Sequence, residues 1–168
     1  ESYIPTNYDY SKCSKKSISS GYYIPSTEKT RIDICVAIDV SGSIGAEELN
    51  EFISEIVGMA RAFRNQIRFT LLTHETEVNN KYIVENGNVE KIKAIKIKGG
   101  GGTSHKSLMG YIAKEVKNCK VAVFFTDGYS DLNEVEFNKN KFKSIFVINK
   151  KGTEEQLFKK PVKIIKLK

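Results

Sequence analysis

Acidic and hydroxyl side chains in three separate segments of the chain form a set of oxygen donors. Asp39, Ser41 and Ser43 alternate in Asp-Val-Ser-Gly-Ser, Thr103 follows four glycines, and Asp127 lies in Thr-Asp-Gly. Hard divalent cations prefer oxygen ligands, and Mg²⁺ usually keeps several of its waters. If the fold brings these groups together, they predict a site for Mg²⁺, Mn²⁺ or Ca²⁺ in which some contacts pass through water.

The predicted strands place these donors at one edge of a sheet. Residues 32–39 form an apolar run, interrupted only by Asp33, which is typical of a buried parallel strand. Residues 121–126 form the clearest later strand. In open α/β sheets, ligands bind at the carboxyl ends of the strands. Because Asp39 and Asp127 end these two strands, we expect their carboxylates to lie at the same edge.

The rest of the pattern alternates helices with strands. A helix begins near Ala46 and keeps helical apolar spacing to Phe63. A second helix follows the glycine run and is capped by Thr103 or Ser104. The other expected elements are a short helix over 89–94 and strands over 67–72, 78–84, 95–98, 144–148 and 162–167. This order predicts an α/β fold: a mostly parallel central sheet with one antiparallel edge strand and helices on both faces.

Residues 1–30 differ from the rest of the chain. They are rich in Ser, Tyr and Lys and show no sustained periodicity, so we expect an extended arm or linker there and a domain over 31–168. No apolar run approaches the roughly 20 residues of a membrane-spanning helix, and the start lacks the order of a signal peptide. The spacing of Cys13, Cys35 and Cys119 suits neither a disulfide framework nor a zinc site. Free thiols favour a cytoplasmic location.

The net charge of +7 comes mostly from lysine. A nucleic-acid partner is favoured by basic residues that cluster on one face together with aromatic side chains. The lysines are scattered along the sequence, with some concentration after Asn138. We interpret them as a solvated surface and do not expect a nucleic-acid partner.

The donor segments resemble a known family. Asp39-Val-Ser-Gly-Ser43, Thr103 and Thr126-Asp-Gly128 are similar to the metal-ion-dependent adhesion site (MIDAS) of von Willebrand factor A (VWA) domains. The longer segments 36–44 and 99–103 resemble the VWA-like domain at the C-terminus of predicted bacterial metallopeptidases. Tyr23-Ile-Pro25 and residues 161–167 are similar to the same family, so the resemblance covers roughly residues 20–168.

The resemblance implies a Rossmann-like three-layer fold and a binding module without catalytic activity. A divalent cation held by Asp39, Ser41, Ser43, Thr103 and Asp127 would bind an Asp or Glu carboxylate of a protein partner. Such domains are often encoded near AAA+ ATPases, which makes an ATPase of that class an expected partner. A peptidase motif, if the protein has one, would lie outside this chain.

Two positions depart from the family's pattern. The family usually has Asp after the glycine–Thr loop, where this chain has Ser104 and then His105. It also has Asp near the end of the second strand, where this chain has His74. Both changes remove negative charge near the expected site and predict a lower metal affinity. We expect Ser104 to act as a helix cap and His74 to be a hydrogen-bonded polar residue at a strand end.

Other interpretations of the same residues remain open. Asp39 and Ser43 could only cap the following helix, and Asp127-Gly128 could be only a turn. Asp39 could be the nucleophile of a haloacid dehalogenase-like hydrolase, but Ser41 stands where such enzymes have an acid/base Asp. His74-Glu75 begins like a zinc-protease motif, yet Val78 occupies the place of the second His. A third alternative is a metal-free structural module whose basic surface meets acidic partners.

Overall fold

The structure, a computed structural model, describes residues 7–28, 32–63, 67–85, 88–93 and 100–167. It divides into two units, Glu1–Ile32 and Asp33–Lys168. The expected strand over 95–98 lies outside the described residues. In the described ranges, no helix is both long and apolar enough to cross a membrane.

The first unit contains local secondary structure where the sequence predicts an arm or linker. Strand β1 (Asn7–Cys13) pairs antiparallel with β2 (Pro25–Glu28), and the short helix α1 (Lys15–Ser20) connects them. The Ser17 hydroxyl donates to the carbonyl of Ile24 and accepts from its amide, at 2.9 and 2.7 Å. A register irregularity in β1 interrupts the strict alternation by which a strand is recognised in a sequence.

The second unit is built on a six-stranded sheet with the order β5-β4-β3-β6-β7-β8. Its strands are β3 (Ile32–Asp39), β4 (Ile67–His74), β5 (Val78–Val84), β6 (Val121–Thr126), β7 (Lys143–Ile148) and β8 (Lys163–Lys166). Strands β3, β6, β7 and β8 run parallel, and β5 pairs antiparallel with β4 at one edge. The predicted mostly parallel sheet with one antiparallel edge strand is confirmed.

Helices cover both faces of this sheet, as the apolar runs of the central strands require. The helices are α2 (Ala46–Ala62), α3 (Val89–Lys93) and α4 (His105–Glu115). Alternate residues of a strand face opposite sides of the sheet. Cys35 and Ala37 accordingly pack in one core with α4, whereas Val36 and Ile38 pack in the other with α2 and α3. The result is a three-layer α/β domain.

Short 3₁₀ helices complete the face that α4 covers. They span Leu132–Glu134, Phe137–Lys139 and Glu155–Leu157, and each buries one apolar side chain. The sequence analysis did not predict them, because a three-residue turn is too short to show a helical period. Strand β4 also continues two residues beyond the predicted Leu72, through the buried polar residues Thr73 and His74.

Candidate functional site

Asp39 ends β3 and shapes the loop that follows it. The carboxylate is fully buried, and its Oδ1 accepts a hydrogen bond from the Ser41 amide at 2.9 Å. This contact closes an Asx turn. The turn brings the Ser41 and Ser43 hydroxyl oxygens to 3.1 Å from each other. Ser41 is buried and Ser43 is exposed, so the pair leads from the interior to the surface.

The end of β6 lies beside Asp39 because β3 and β6 are paired in parallel up to Ile38 and Phe125. The Thr126 hydroxyl donates to Asp39 Oδ2 at 2.7 Å and accepts from the Gly128 amide at 3.2 Å. Asp127 comes next and is 4% exposed. Its Oδ1 accepts from the Tyr129 amide at 3.0 Å. The two strand-end carboxylates therefore lie at the same sheet edge, as the sequence predicts.

The glycine loop brings Thr103 to the same place. The Gly42 amide donates to the Gly101 carbonyl at 3.0 Å, which joins the two loops through their backbones. A Cβ atom on Gly42 would lie 3.2 Å from the Gly100 oxygen, so glycine permits this close approach. The Thr103 hydroxyl then donates to Asp39 Oδ1 across 3.4 Å.

The charges of the two strand-end carboxylates have no basic partner in the described ranges. Asp39 and Asp127 are both buried, and no salt bridge is formed by either of them there. The nearby His74 does not supply a positive charge, because burial lowers its pKa more than the Asp39 carboxylate raises it. Buried charges in proteins are normally paired or bound to a metal.

The donor set suits a hard divalent cation. Adjacent oxygen ligands of an octahedral Mg²⁺ lie about 3 Å apart, and the Ser41 and Ser43 hydroxyl oxygens are separated by 3.1 Å. Among the described residues, no group of three or more His, Cys, Asp and Glu could hold a metal ion. A cation at this edge would therefore depend on the hydroxyl groups as well as on the two carboxylates.

The structure also shows which of these residues cap a helix. Helix α2 has Gly45 as its N-cap and no side-chain cap, so neither Asp39 nor Ser43 caps it. Ser104 does cap α4 and accepts from the Ser107 amide at 3.2 Å, which confirms the sequence prediction.

Two further carboxylates lie beside the loops, and the sequence analysis missed their roles. Asp131 accepts from the Ser104 hydroxyl at 2.7 Å and from the His105 amide at 2.6 Å. Burial raises the pKa of Asp131, but these hydrogen bonds outweigh that effect and keep it below its usual value. Glu75 accepts from the Gly101 amide at 3.3 Å. Asp131 and Glu75 thus place negative charge close to Ser104 and His74, the two positions where the chain lacks the aspartates usual in the family.

Both histidines of the chain meet beneath this edge. The rings of His74 and His105 are fully buried and pack edge-to-face, with centroids 5.0 Å apart. His74 Nδ1 lies 3.3 Å from the Glu75 carbonyl, and His105 Nδ1 lies 2.7 Å from the Ser130 hydroxyl. Both Nε2 atoms lack a partner within the described ranges. The expectation that His74 is satisfied therefore holds for only one of its two nitrogens.

The fold and the loops define the class of the protein as a VWA-like α/β domain. The profile of the family described as VWA-like domain (DUF2201) matches residues 34–165. This match covers most of the chain, and the chain belongs to that family. The predicted VWA-like relationship is thus confirmed.

One relative of this chain is a considerably longer protein. An "uncharacterized protein" of Thermotoga maritima is 31% identical over 99 residues, which are 59% of this chain and 23% of the relative. The chain therefore spans about a quarter of the length of this relative.

Solved structures share the fold at low sequence identity. The chain is similar to proximal thread matrix protein 1 of the mussel byssus, with a TM-score of 0.64, 16% identity and coverage of 82% and 41% of the two chains. The same byssus protein has been solved with a zinc-occupied MIDAS motif, at a TM-score of 0.63, 15% identity and coverage of 82% and 41%. The ArnB paralog VWA2 of Sulfolobus acidocaldarius matches with a TM-score of 0.64, 17% identity and coverage of 81% and 41%. At these identities the likeness concerns the fold.

Proposed function

We propose that this domain is a divalent-metal-dependent module that binds a protein partner. The observation that carries the proposal is the pair of buried carboxylates, Asp39 and Asp127, which have no basic partner in the described ranges and lie at one sheet edge. The hydroxyl groups of Ser41, Ser43 and Thr103 lie at the same edge. Ser41 is buried, Thr103 is half-buried and Ser43 is exposed, so these donors extend from the interior to the solvent.

In this proposal the five residues contribute to cation binding in two ways. The Ser41, Ser43 and Thr103 hydroxyls are the outer donors, and the two carboxylates offset the charge of the cation from the interior. A bound cation would supply the local positive charge that attracts a carboxylate of the partner. The backbone contact between Gly42 and Gly101 keeps Thr103 in place beside Asp39.

We propose Mg²⁺ as the resident ion, with Mn²⁺ or Ca²⁺ as substitutes. The donors are all oxygens, which these cations prefer, whereas Zn²⁺ is bound mostly by Cys and His. The zinc in the MIDAS motif of the mussel byssus protein supports a divalent ion in this fold, without fixing which ion this chain selects.

Binding is favoured over hydrolysis by the surroundings of Asp39. Its Oδ1 accepts from Ser41 and Thr103, and its Oδ2 accepts from Thr126. A carboxylate that is fully buried and hydrogen-bonded on both oxygens is poorly placed to attack a substrate. Ser41 also cannot supply the proton transfer that a second carboxylate would provide. We therefore propose no catalytic role for this domain.

The partner that we propose is a cytoplasmic protein with an exposed Asp or Glu, and an AAA+ ATPase is the first class to examine. We also propose that the domain works as part of a longer, metallopeptidase-like protein, by its resemblance to that family. The coverage of only 23% of the Thermotoga maritima relative agrees with a longer context.

The interaction is tested by affinity capture with a matched variant. The immobilised chain and its Asp127→Asn variant are incubated with the same cell extract, in Mg²⁺ or in EDTA. We expect proteins that bind the wild type in Mg²⁺, elute with EDTA and do not bind the variant. Identical capture by both chains in both buffers would contradict the proposal.

A further inference from the structure

A cleft lies at the end of the sheet where β6 and β7 begin, opposite the end that carries Asp39 and Asp127. It is lined by lysines from separate parts of the sequence. It has a volume of about 500 Å³. Its lysines are all exposed: Lys114, Lys117, Lys120, Lys139 and Lys141. Lys143 and Lys163 line an adjoining hollow that shares Phe142 with this cleft. The scattered lysines of the sequence thus become a local basic surface, which we term the lysine cleft.

The fold explains how these side chains meet. Helix α4 ends at Glu115, and Asn118 takes a left-handed conformation with φ 61° that turns the chain toward β6. Strands β6 and β7 are parallel, so both begin at this edge. The Lys143 amide donates to the Lys120 carbonyl at 3.0 Å and holds the two strand starts together.

The charge of the lysine cleft is largely uncompensated. Of its five lysines, only Lys139 forms a salt bridge in the described ranges, with Glu136 one turn away. No acidic side chain is among the described residues that line the cleft. Clustered like charges repel one another and destabilise the compact state, while they attract oppositely charged ligands.

The other surfaces of the cleft decide what kind of anion it fits. Its floor is apolar and consists of the buried residues Ile112, Val116, Cys119 and Phe142. The described lining contains neither Arg nor an exposed aromatic side chain on which a base could stack.

We propose that the lysine cleft binds an acidic segment of a partner protein, a short run of Asp and Glu around one apolar residue. The lysines would contact the carboxylates, and the apolar residue would cover the floor. The six residues of β6 separate this cleft from the Asp127 edge by roughly 20 Å. Binding at the cleft is therefore independent of the metal site, and the domain can hold two partners at once.

The test uses a fluorescein-labelled peptide, Glu₅-Leu-Glu₅, and a labelled (dT)₂₀ oligonucleotide as probes. The cleft variant carries Lys117→Glu, Lys120→Glu and Lys141→Glu. The control variant carries Arg61→Glu, Lys91→Glu and Lys93→Glu on α2 and α3, and therefore has the same net charge. Circular dichroism and thermal unfolding verify that both variants are folded. If the cleft variant is not folded, Lys→Gln changes at the same three positions replace its Lys→Glu changes.

We expect fluorescence anisotropy to show that the wild type binds the peptide with an affinity that falls as salt rises. EDTA and Asp39→Ala should leave this affinity unchanged, which separates the test from that of the metal site. The cleft variant should lose affinity by about tenfold or more, and the control variant by less than about threefold. No peptide binding, or equal loss in both variants, would overturn the proposal. Tighter binding of (dT)₂₀ that the cleft variant abolishes would replace it with a nucleic-acid site.

Discussion

The backbone conformation of the loop after β6 requires a glycine at position 128. Its φ of 82° is a conformation that residues with a side chain rarely adopt, and an added Cβ would collide with the Thr153 carbonyl oxygen. The Thr153 amide also donates to the Asp127 carbonyl at 2.8 Å, so the two segments cannot move apart freely.

We therefore expect Gly128→Ala to lower the free energy of unfolding by roughly 2–3 kcal/mol, measured by urea denaturation. Gly110→Ala is the matched control, because Gly110 lies in α4 and an added Cβ meets nothing within 4 Å. That change should stabilise the protein by about 0.5–1 kcal/mol. Equal destabilisation by both changes would refute this account of the loop.

The two buried histidines predict how stability depends on pH. Burial lowers the pKa of His74, and burial together with its histidine neighbour lowers that of His105 to about 3. The unfolded chain therefore takes up protons below pH 6.5 that the folded chain does not. The free energy of unfolding should fall as the pH drops from 6.5 toward 4.5, by up to about 1.4 kcal/mol per pH unit for each histidine.

The direct measurement is an NMR titration of the two imidazole Cε1–H signals, with His105→Gln used for assignment. The His105 signal of the folded protein should not titrate between pH 8 and 5.5, and the His74 signal should titrate below its usual value. A titration of either ring near its usual value of 6.5 would contradict the buried, neutral pair.

At this scale the sequence predicts the five donor residues but not their neighbours. Asp39 and Asp127 could be found because each ends an apolar strand, and the ends of parallel strands meet. Asp131 and Glu75 carry no such signal, since their contacts with Ser104, His105 and Gly101 depend on how separate loops pack. For the same reason the sequence could not show that His74 and His105 are in contact.

At the scale of elements, α4 depends on a carboxylate from another loop. Asp131 accepts hydrogen bonds from the Ser104 hydroxyl and from the first amides of α4, at His105 and Lys106. A negative charge at a helix N-terminus is stabilising. Helix α4 begins two residues after Thr103, so this contact also anchors the glycine loop.

We expect Asp131→Ala to lower the free energy of unfolding by about 1–3 kcal/mol at neutral pH. Because the folded-state pKa of Asp131 is below its usual 3.8, this stabilisation is fully present above pH 3.8. It is lost as the pH falls through the lowered folded-state value.

Glu134→Ala is the control for Asp131→Ala. Its carboxylate lies 2.9 Å from Lys106 Nζ but is 64% exposed, and such surface pairs contribute less than about 1 kcal/mol. If urea denaturation gave the two variants the same stability, Asp131 would have no special role at the helix start.

The predictability of the elements follows from their lengths and surroundings. Strands β3, β5 and β6 were predicted with the bounds that the structure shows, and α2 within a residue, because buried strands and long amphipathic helices leave clear patterns. The polar end of β4 and the 3₁₀ helices leave none. Strands β1 and β2 were missed because they pair only with each other, outside the central sheet, and their register is irregular.

At the scale of the whole molecule, the sheet of the second unit separates two kinds of surface. The donor set lies at the carboxyl ends of β3 and β6, and the lysine cleft lies where β6 and β7 begin. The first could be predicted because of the strand-end rule. The second could not, since its lysines are scattered from 114 to 141 and only the packing of α4 beside β6 and β7 brings them together.

The central claim is that the buried carboxylates and their hydroxyl neighbours hold a divalent cation. Isothermal titration calorimetry of Mg²⁺ into the metal-free chain tests it most directly. Asp39→Ala removes one of the buried carboxylates, and Ser43→Ala removes an exposed hydroxyl at little risk to the fold. Asp33→Asn is the control, because Asp33 is an acid of the same strand that pairs with Arg68 at 2.7 Å, far from the site.

We expect one Mg²⁺ per chain for the wild type and for Asp33→Asn, and an affinity at least about tenfold weaker for Asp39→Ala and Ser43→Ala. Bound Mg²⁺ should also raise the thermal unfolding midpoint of the wild type and of Asp33→Asn only, since a ligand stabilises the state that binds it. Equal Mg²⁺ binding by all four chains, or none by the folded wild type, would contradict the account.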